Sequence, residues 1–317
     1  MIPDNYKIAV KELIGKSVNY QSSIKKLTKN RFFIFCFHEI TNTPSEFQKK
    51  NKLFVTKDNF VKQIRFISKI LKIINPKELL HNSNITQAAL ISFDDGYAGS
   101  FNFALKFLVK EKIIPIYFLN MSTIHLGIPL LPASLEYLEK NYEEYENFLE
   151  KNKIKKPFHL SIKPLQFQKL NDNFKLHSRK INAYQGKMVN TKFLQKNQNN
   201  KTFFIADHLY EHYNCLALNK IEVKNYSNKS LKLFKHFKNH INFFSFPNGV
   251  PNLCFNKKNI KWLKDLNYKK SFACGNTSNK NKNDFLQDRI SLNNDDDNFN
   301  KFLYKILISI KKPINII

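Results

Sequence analysis

Arginine is scarce in this 317-residue chain. Only four (Arg31, Arg65, Arg179 and Arg289) stand among 52 basic residues, against 25 acidic ones. The formal net charge of +27 would suit a nucleic-acid partner, but phosphate and base recognition favour the bidentate guanidinium. The lysines are also spread along the whole chain. Most of the charge is therefore expected on a solvated surface, with no specific nucleic-acid partner and a weak attraction to anionic surfaces. Glycine is scarce too, at seven residues, while Asn, Ile and Phe abound. That bias is the one an A+T-rich coding sequence leaves. The four cysteines are scattered, without a CxxC, which speaks against a disulfide framework or a cysteine zinc site and predicts reduced core thiols. No apolar run reaches the roughly 18 residues of a membrane span. The N-terminal stretch MIPDNYKIAVKELIGKS is broken by charges every few residues, unlike the apolar core of a secretory signal. These absences predict a cytoplasmic protein.

What is present is a folded chain. A hydrophobic content of 42%, with 14% aromatic residues, exceeds what disordered sequences hold. The length allows one large or two modest domains. RFFIFCF (31–37) and AALISF (88–93) are apolar without alternation, as expected of strands covered on both faces. Between them Thr56 is placed to cap a helix carrying Phe60, Ile64, Ile67 and Leu71 at helical spacing, with Asn75-Pro76 expected to close it. A helix near 100–112 and a strand after Pro115 complete a βαβ unit and imply a parallel sheet. Residues 125–202 change character and read as a helical insertion with flexible connections. NFFSFP (242–247), a helix through Ile260 and Leu263, and KKSFACG (269–275) restore the rhythm. A final amphipathic helix presents Phe299, Phe302, Ile306 and Ile310 on one side. There are no internal repeats. The expected layout is an N-terminal helical extension over 1–30 and an α/β barrel-like unit over 31–317, interrupted by 125–202.

Ligands of parallel α/β proteins sit at the carboxyl ends of the strands. Three strands here end in residues with chemistry. His38 follows the first, Asp94-Asp95-Gly96 the second, and Pro247-Asn248-Gly249 a later one. Adjacent carboxylates at a strand end can divide two tasks, one binding a cation and the other accepting a proton, with Gly96 allowing the sharp turn. Asp-Gly is equally a plain turn signal. In ADHLYEHYNCLAL (206–218), His208 and His212 are four apart, which on a helix would put both imidazoles on one face. Histidines at that spacing also serve as ordinary surface or core residues. Two imidazoles and one carboxylate nonetheless form a standard ligand set with coordination positions left open.

FHEI (37–40), SFDDGY (92–97), HLYEH (208–212) and FSFPNG (244–249) resemble the ordered motifs of polysaccharide deacetylases, carbohydrate esterase family 4 of NodB-type homology. The early strand ending in His resembles members whose motif order is permuted. The resemblance covers about 31–125 and 203–290. It implies a deformed (β/α) barrel, a substrate carrying N-acetylated sugars, and a single divalent ion, usually zinc. It assigns Asp94 as catalytic base, His38 as general acid, and Asp95, His208 and His212 as the metal ligands. Tyr97, Pro247, Asn248 and Arg289 are expected around the substrate. Two departures stand out. The family's Pro-containing motif begins with an arginine that orients the base, whereas Phe244 or Ser245 occupies that place here, leaving Arg289 as a substitute or as a plain structural ion pair. No late leucine-rich motif ending in His is present, so the acid role rests on His38. Two further readings keep a place beside deacetylation of a surface glycan or its precursor: a related amidohydrolase acting on a non-sugar amide, and a non-catalytic basic scaffold binding glycan or nucleic acid.

Overall fold

The computed structural model describes residues 26–81, 85–154, 158–174, 179–311 and 316. Residues 1–25 of the expected N-terminal helical extension lie outside the described residues. The strands are β1 (Phe32–Phe37), β2 (Glu39–Ile40), β3 (Phe54–Val55), β4 (Lys72–Ile73), β5 (Ala88–Phe93), β6 (Ile116–Leu119), β7 (Phe204–Asp207), β8 (His240–Ser245), β9 (Lys270–Phe272), β10 (Leu286–Gln287) and β11 (Ile290–Ser291).

β1 and β5 are buried at all six positions each, as their unbroken apolar runs require. They pair in parallel from Phe32↔Ala88 to Phe37↔Phe93, so their ends lie level and the Asp94 N–H donates to the Phe37 carbonyl at 2.9 Å. The main sheet runs β10-β9-β8-β7-β6-β5-β1-β11, parallel throughout, with β4 on the start of β5. Its two edges belong to one stretch of chain. β10 pairs with β9 and β11 pairs with β1, and only Asp288 and Arg289 separate them. The sheet thus curls until its ends meet at that kink, a deformed (β/α) barrel as expected. Arg289 stands in the seam.

The helix expected after Thr56 spans Lys57–Ile70, with the Thr56 hydroxyl accepting from the Asn59 N–H and Phe60, Ile64 and Ile67 buried. It ends before Asn75, because residues 72–73 extend into β4. Asn75-Pro76 instead opens a short 3₁₀ turn, Pro76–Leu79, capped by the Asn75 side chain. β7 and the β10–β11 stretch were not anticipated. β8 starts two residues earlier than the expected 242 and ends before Phe246. The C-terminal helix Phe299–Lys311 buries Phe302 and Ile306 against the barrel.

Between β6 and β7 the described residues form seven helices, from Met121–Leu126 to Thr191–Lys196. They are held to the barrel at its carboxyl end. Leu135, Leu138, Tyr145 and Leu149 share an apolar cluster with Leu209 and Tyr213 of the loop after β7. The exit of this block is pinned to the turn after β5 by Ala98 N–H to the Lys187 carbonyl and Val189 N–H to the Gly96 carbonyl, both 2.9 Å. Among the described residues no helix is long and apolar enough to cross a membrane.

Candidate active site

The turn after β5 sets the two carboxylates. Asp95 (φ +70°) and Gly96 (φ +93°) are both left-handed, a conformation that aspartate tolerates and glycine adopts freely. A Cβ on Gly96 would come within 2.9 Å of Ile124 Cδ1, so the turn needs glycine twice over. Asp94 and Asp95 are consequently both buried at the mouth of the barrel.

Asp94 meets the seam arginine. Arg289 Nη1 donates to Asp94 Oδ1 at 2.6 Å and Nη2 to Oδ2 at 2.8 Å, a bidentate pair. Nη2 also donates to Ser245 Oγ at 2.7 Å and Nε to the Ala273 carbonyl at 3.0 Å. The guanidinium lies 5.2 Å from the Phe118 ring centroid and is 1% exposed. Burial alone would raise the Asp94 pKa. The Arg289 charge and hydrogen bonds, helped by His208, hold it well below the usual carboxylate range. Ser245 is one of the two positions, with Phe244, that match the arginine of the resembling motif, and its hydroxyl accepts from the guanidinium that arrives from across the barrel.

Asp95 turns to the histidines. Its Oδ1 lies 3.5 Å from His208 Nε2 and 3.4 Å from His212 Nε2. The loop that brings them is not a helix. β7 ends at Asp207, and Leu209 is left-handed (φ +62°), which no helix accommodates. The Asn120 side chain fixes that loop, donating to the carbonyls of His208 (2.6 Å) and Leu209 (3.0 Å). Behind it Asp207 is fully buried, accepts from the Tyr268 hydroxyl, and is pushed up to about 7 by burial.

These three side chains fit a metal ion. His208 Nδ1 donates to the Ser245 carbonyl at 2.9 Å, which fixes the tautomer and leaves Nε2 with a free lone pair. Burial presses the His208 pKa down to about 4, so the imidazole is neutral, as a ligand must be. Asp95 Oδ1 is buried with no hydrogen-bond partner. Donor atoms about 2.0–2.1 Å from one tetrahedral ion stand ~3.3–3.4 Å apart, close to the separations found here.

His38 is half-buried at the end of β1, with a ring nitrogen within 4.8 Å of both an Asp94 oxygen and Cys36 Sγ. Asn248 is left-handed (φ +59°) and borders the cavity, and its side-chain Nδ2 has no partner. Tyr97 and Pro247, expected around the substrate, do not border the cavity. Tyr97 is fully buried among Phe47, Leu130 and Tyr184, and Pro247 is covered. The cavity measures about 880 Å³. Its floor is His38, Asp94, Asp95, His208, His212 and Arg289. Its far wall comes from the helical block and includes Leu135, Glu136, Glu139 and His159. On that wall His159 stands near His212. Sequence spacing gave no hint of Asn120 and Asp207, which sit at the loop after β7, or of His159, which the helical block brings to the cavity.

The fold is that of the polysaccharide deacetylases. IcaB from Ammonifex degensii aligns over 87% of this chain and 97% of its own, with a TM-score of 0.57 at 12% identity. PplD, a deacetylase from Streptococcus pyogenes solved with acetate, aligns over 90% of this chain and all of its own (100%), at TM-score 0.54 and 14% identity. A de-N-acetylase from Aggregatibacter actinomycetemcomitans aligns over 87% and 100% at TM-score 0.54 and 14% identity. No family model and no curated protein sequence matches the chain.

Proposed function

We propose that the protein is a metal-dependent hydrolase that removes an N-acetyl group from an amino sugar of a surface polysaccharide or its precursor. One observation carries this reading. An ionised carboxylate gripped by a buried arginine stands beside a buried Asp-His-His set at the mouth of a deacetylase-type barrel. Asp95, His208 and His212 would hold the ion, and zinc suits their nitrogen and oxygen donors. Such an ion supplies Lewis-acid polarisation of the amide carbonyl and acidifies water.

The rest falls to the chain's own side chains. Asp94 accepts the proton of the attacking water, and the Arg289 fork keeps it ionised and aimed. His38 gives a proton to the departing sugar amine as the C–N bond breaks. Asn248 offers its unpartnered amide N–H to the substrate oxygen that gains charge. The block over 125–202 is taken as an insertion that shapes the substrate site, since it builds one wall of the cavity. Four unpaired cysteines suit a cytoplasmic, reducing compartment.

The test is acetate release from N-acetylated amino-sugar oligomers. Asp94→Asn and His38→Ala are each expected to lower the rate by about 10²–10⁴-fold, the usual worth of one proton-transfer group. Undiminished release from Asp94→Asn would refute the assignment.

A further inference from the structure

Scattered in sequence, the four cysteines gather into two groups of opposite character. Cys215 and Cys254 lie in the apolar cluster behind the β7 loop, and burial pushes both thiols up. Cys36 and Cys274 flank the barrel seam instead. Cys36 pairs with Ser291 of β11, and the residue before Cys274, Ala273, donates its N–H to the Gln287 carbonyl of β10. Cys36 shares a side of β1 with His38, and its sulfur lies within 4.8 Å of an Asp94 oxygen. Cys274 borders the cavity. The Cys36 thiol donates to the Phe37 carbonyl at 3.8 Å and neighbours the Cys274 thiol, and the Arg289 guanidinium, whose Nε donates to the Ala273 carbonyl at 3.0 Å, lies near both. The neighbouring Cys36 thiol and the arginine charge hold Cys274 below the usual thiol range, whereas the Cys274 neighbour and burial raise Cys36. Reactive thiols share this environment: electropositive, reachable from a cleft, and beside a second thiol.

We propose that Cys274 is a hydroperoxide-reactive thiol on the floor of the cavity and that Cys36 is its resolving partner, forming a reversible modification site. The Cys274 thiolate attacks a peroxide oxygen, the O–O bond breaks, and hydroxide leaves. Cys274 sulfur is oxidised by two electrons to the sulfenic acid. Cys36 sulfur then attacks that sulfur, the S–O bond breaks, and the Cys36 proton leaves with the hydroxyl as water. One hydroperoxide thus converts two thiols to one disulfide, and an external dithiol restores them. The link would tie β1, two residues from His38, to the chain after β9 and disturb the group facing Asp94.

The experiment treats the full, metal-loaded chain with hydrogen peroxide, then counts thiols and maps peptides by mass. The expected product is a Cys36–Cys274 peptide link that dithiothreitol reverses. Cys36→Ser is expected to leave Cys274 as a sulfenic acid trapped by dimedone, and Cys274→Ser to abolish the reaction. Cys215→Ser/Cys254→Ser should behave like wild type. The activity arm rests on the deacetylase reading. Peroxide should lower acetate release by about 10²-fold, as loss of one proton-transfer group does, and Cys274→Ser should be insensitive to peroxide. A chain that forms the link yet never releases acetate would support the thiol site while refuting the deacetylase reading. A Cys215–Cys254 link in preference, or four intact thiols after treatment, would overturn the proposal.

Discussion

Replacing Arg289 with methionine removes the partner of a buried carboxylate while keeping most of the side-chain volume. The guanidinium is 1% exposed and makes four hydrogen bonds, two to Asp94, one to Ser245 and one to the Ala273 carbonyl. Breaking one side of a buried pair costs about 3–5 kcal/mol, because the remaining charge is stranded without water. The cost should depend on pH. In the wild type Asp94 is held below its unfolded value, so its contribution is present above the unfolded pKa near 3.8 and is lost only as pH falls through the depressed folded value. Without Arg289, burial is largely unopposed and the Asp94 pKa moves up, so the variant recovers stability in acid, where the carboxyl is neutral. Urea unfolding at pH 7 and pH 4 should therefore show the full penalty at pH 7 and a smaller one at pH 4. The acid limb of kcat/KM should move to higher pH in the same variant. The double variant Asp94→Asn/Arg289→Met strands no charge and should regain much of the stability without regaining activity. If it unfolds as easily as Arg289→Met alone, or if the penalty is the same at both pH values, the stranded-charge reasoning is wrong.

Three further outcomes are expected. Asp95→Ala, His208→Ala and His212→Ala should each purify without the stoichiometric divalent ion that the wild type and Asp94→Asn retain, as read by elemental analysis. Glu39 is buried beside the Ile40 N–H and the turn at Gly99, and desolvation raises it to about 7 from 4.5. Its stabilising contribution is complete below pH 4.5 and is lost as pH rises through 7. Glu39→Gln should therefore match wild type near pH 4.5 and exceed it by on the order of 3 kcal/mol above pH 8, and parallel denaturation curves across that range would contradict this. His159→Ala, altering the cavity wall beside His212, should raise KM by about 10-fold with a smaller change in kcat, the pattern of lost ground-state binding.

Much of this was legible where chemistry and periodicity agree. The unbroken runs of β1 and β5 announced central parallel strands, and the Asp-Asp-Gly at the end of β5 marked the site. The HLYEH spacing was informative for a reason other than the one it suggested. The two imidazoles meet Asp95 because Leu209 turns left-handed and Asn120 ties the loop, not because they share a helix face. β7 is four residues and each half of the closing stretch is two, too short for any period to register. Arg289 stood out by rarity alone. Its bond to Asp94 spans 195 residues and depends on the barrel closing at Asp288–Arg289. The thiol pair at the seam was hidden in the same way, since Cys36 and Cys274 are distant in sequence and adjacent only once the sheet curls.

The most direct measurement combines metal content with product analysis on one set of proteins. Metal-loaded wild type incubated with N-acetylated amino-sugar oligomers should release one acetate per free amine formed. Asp94→Asn should keep the metal and lose the release, and Asp95→Ala should lose both. Acetate release at the wild-type rate from metal-free Asp95→Ala would contradict the account.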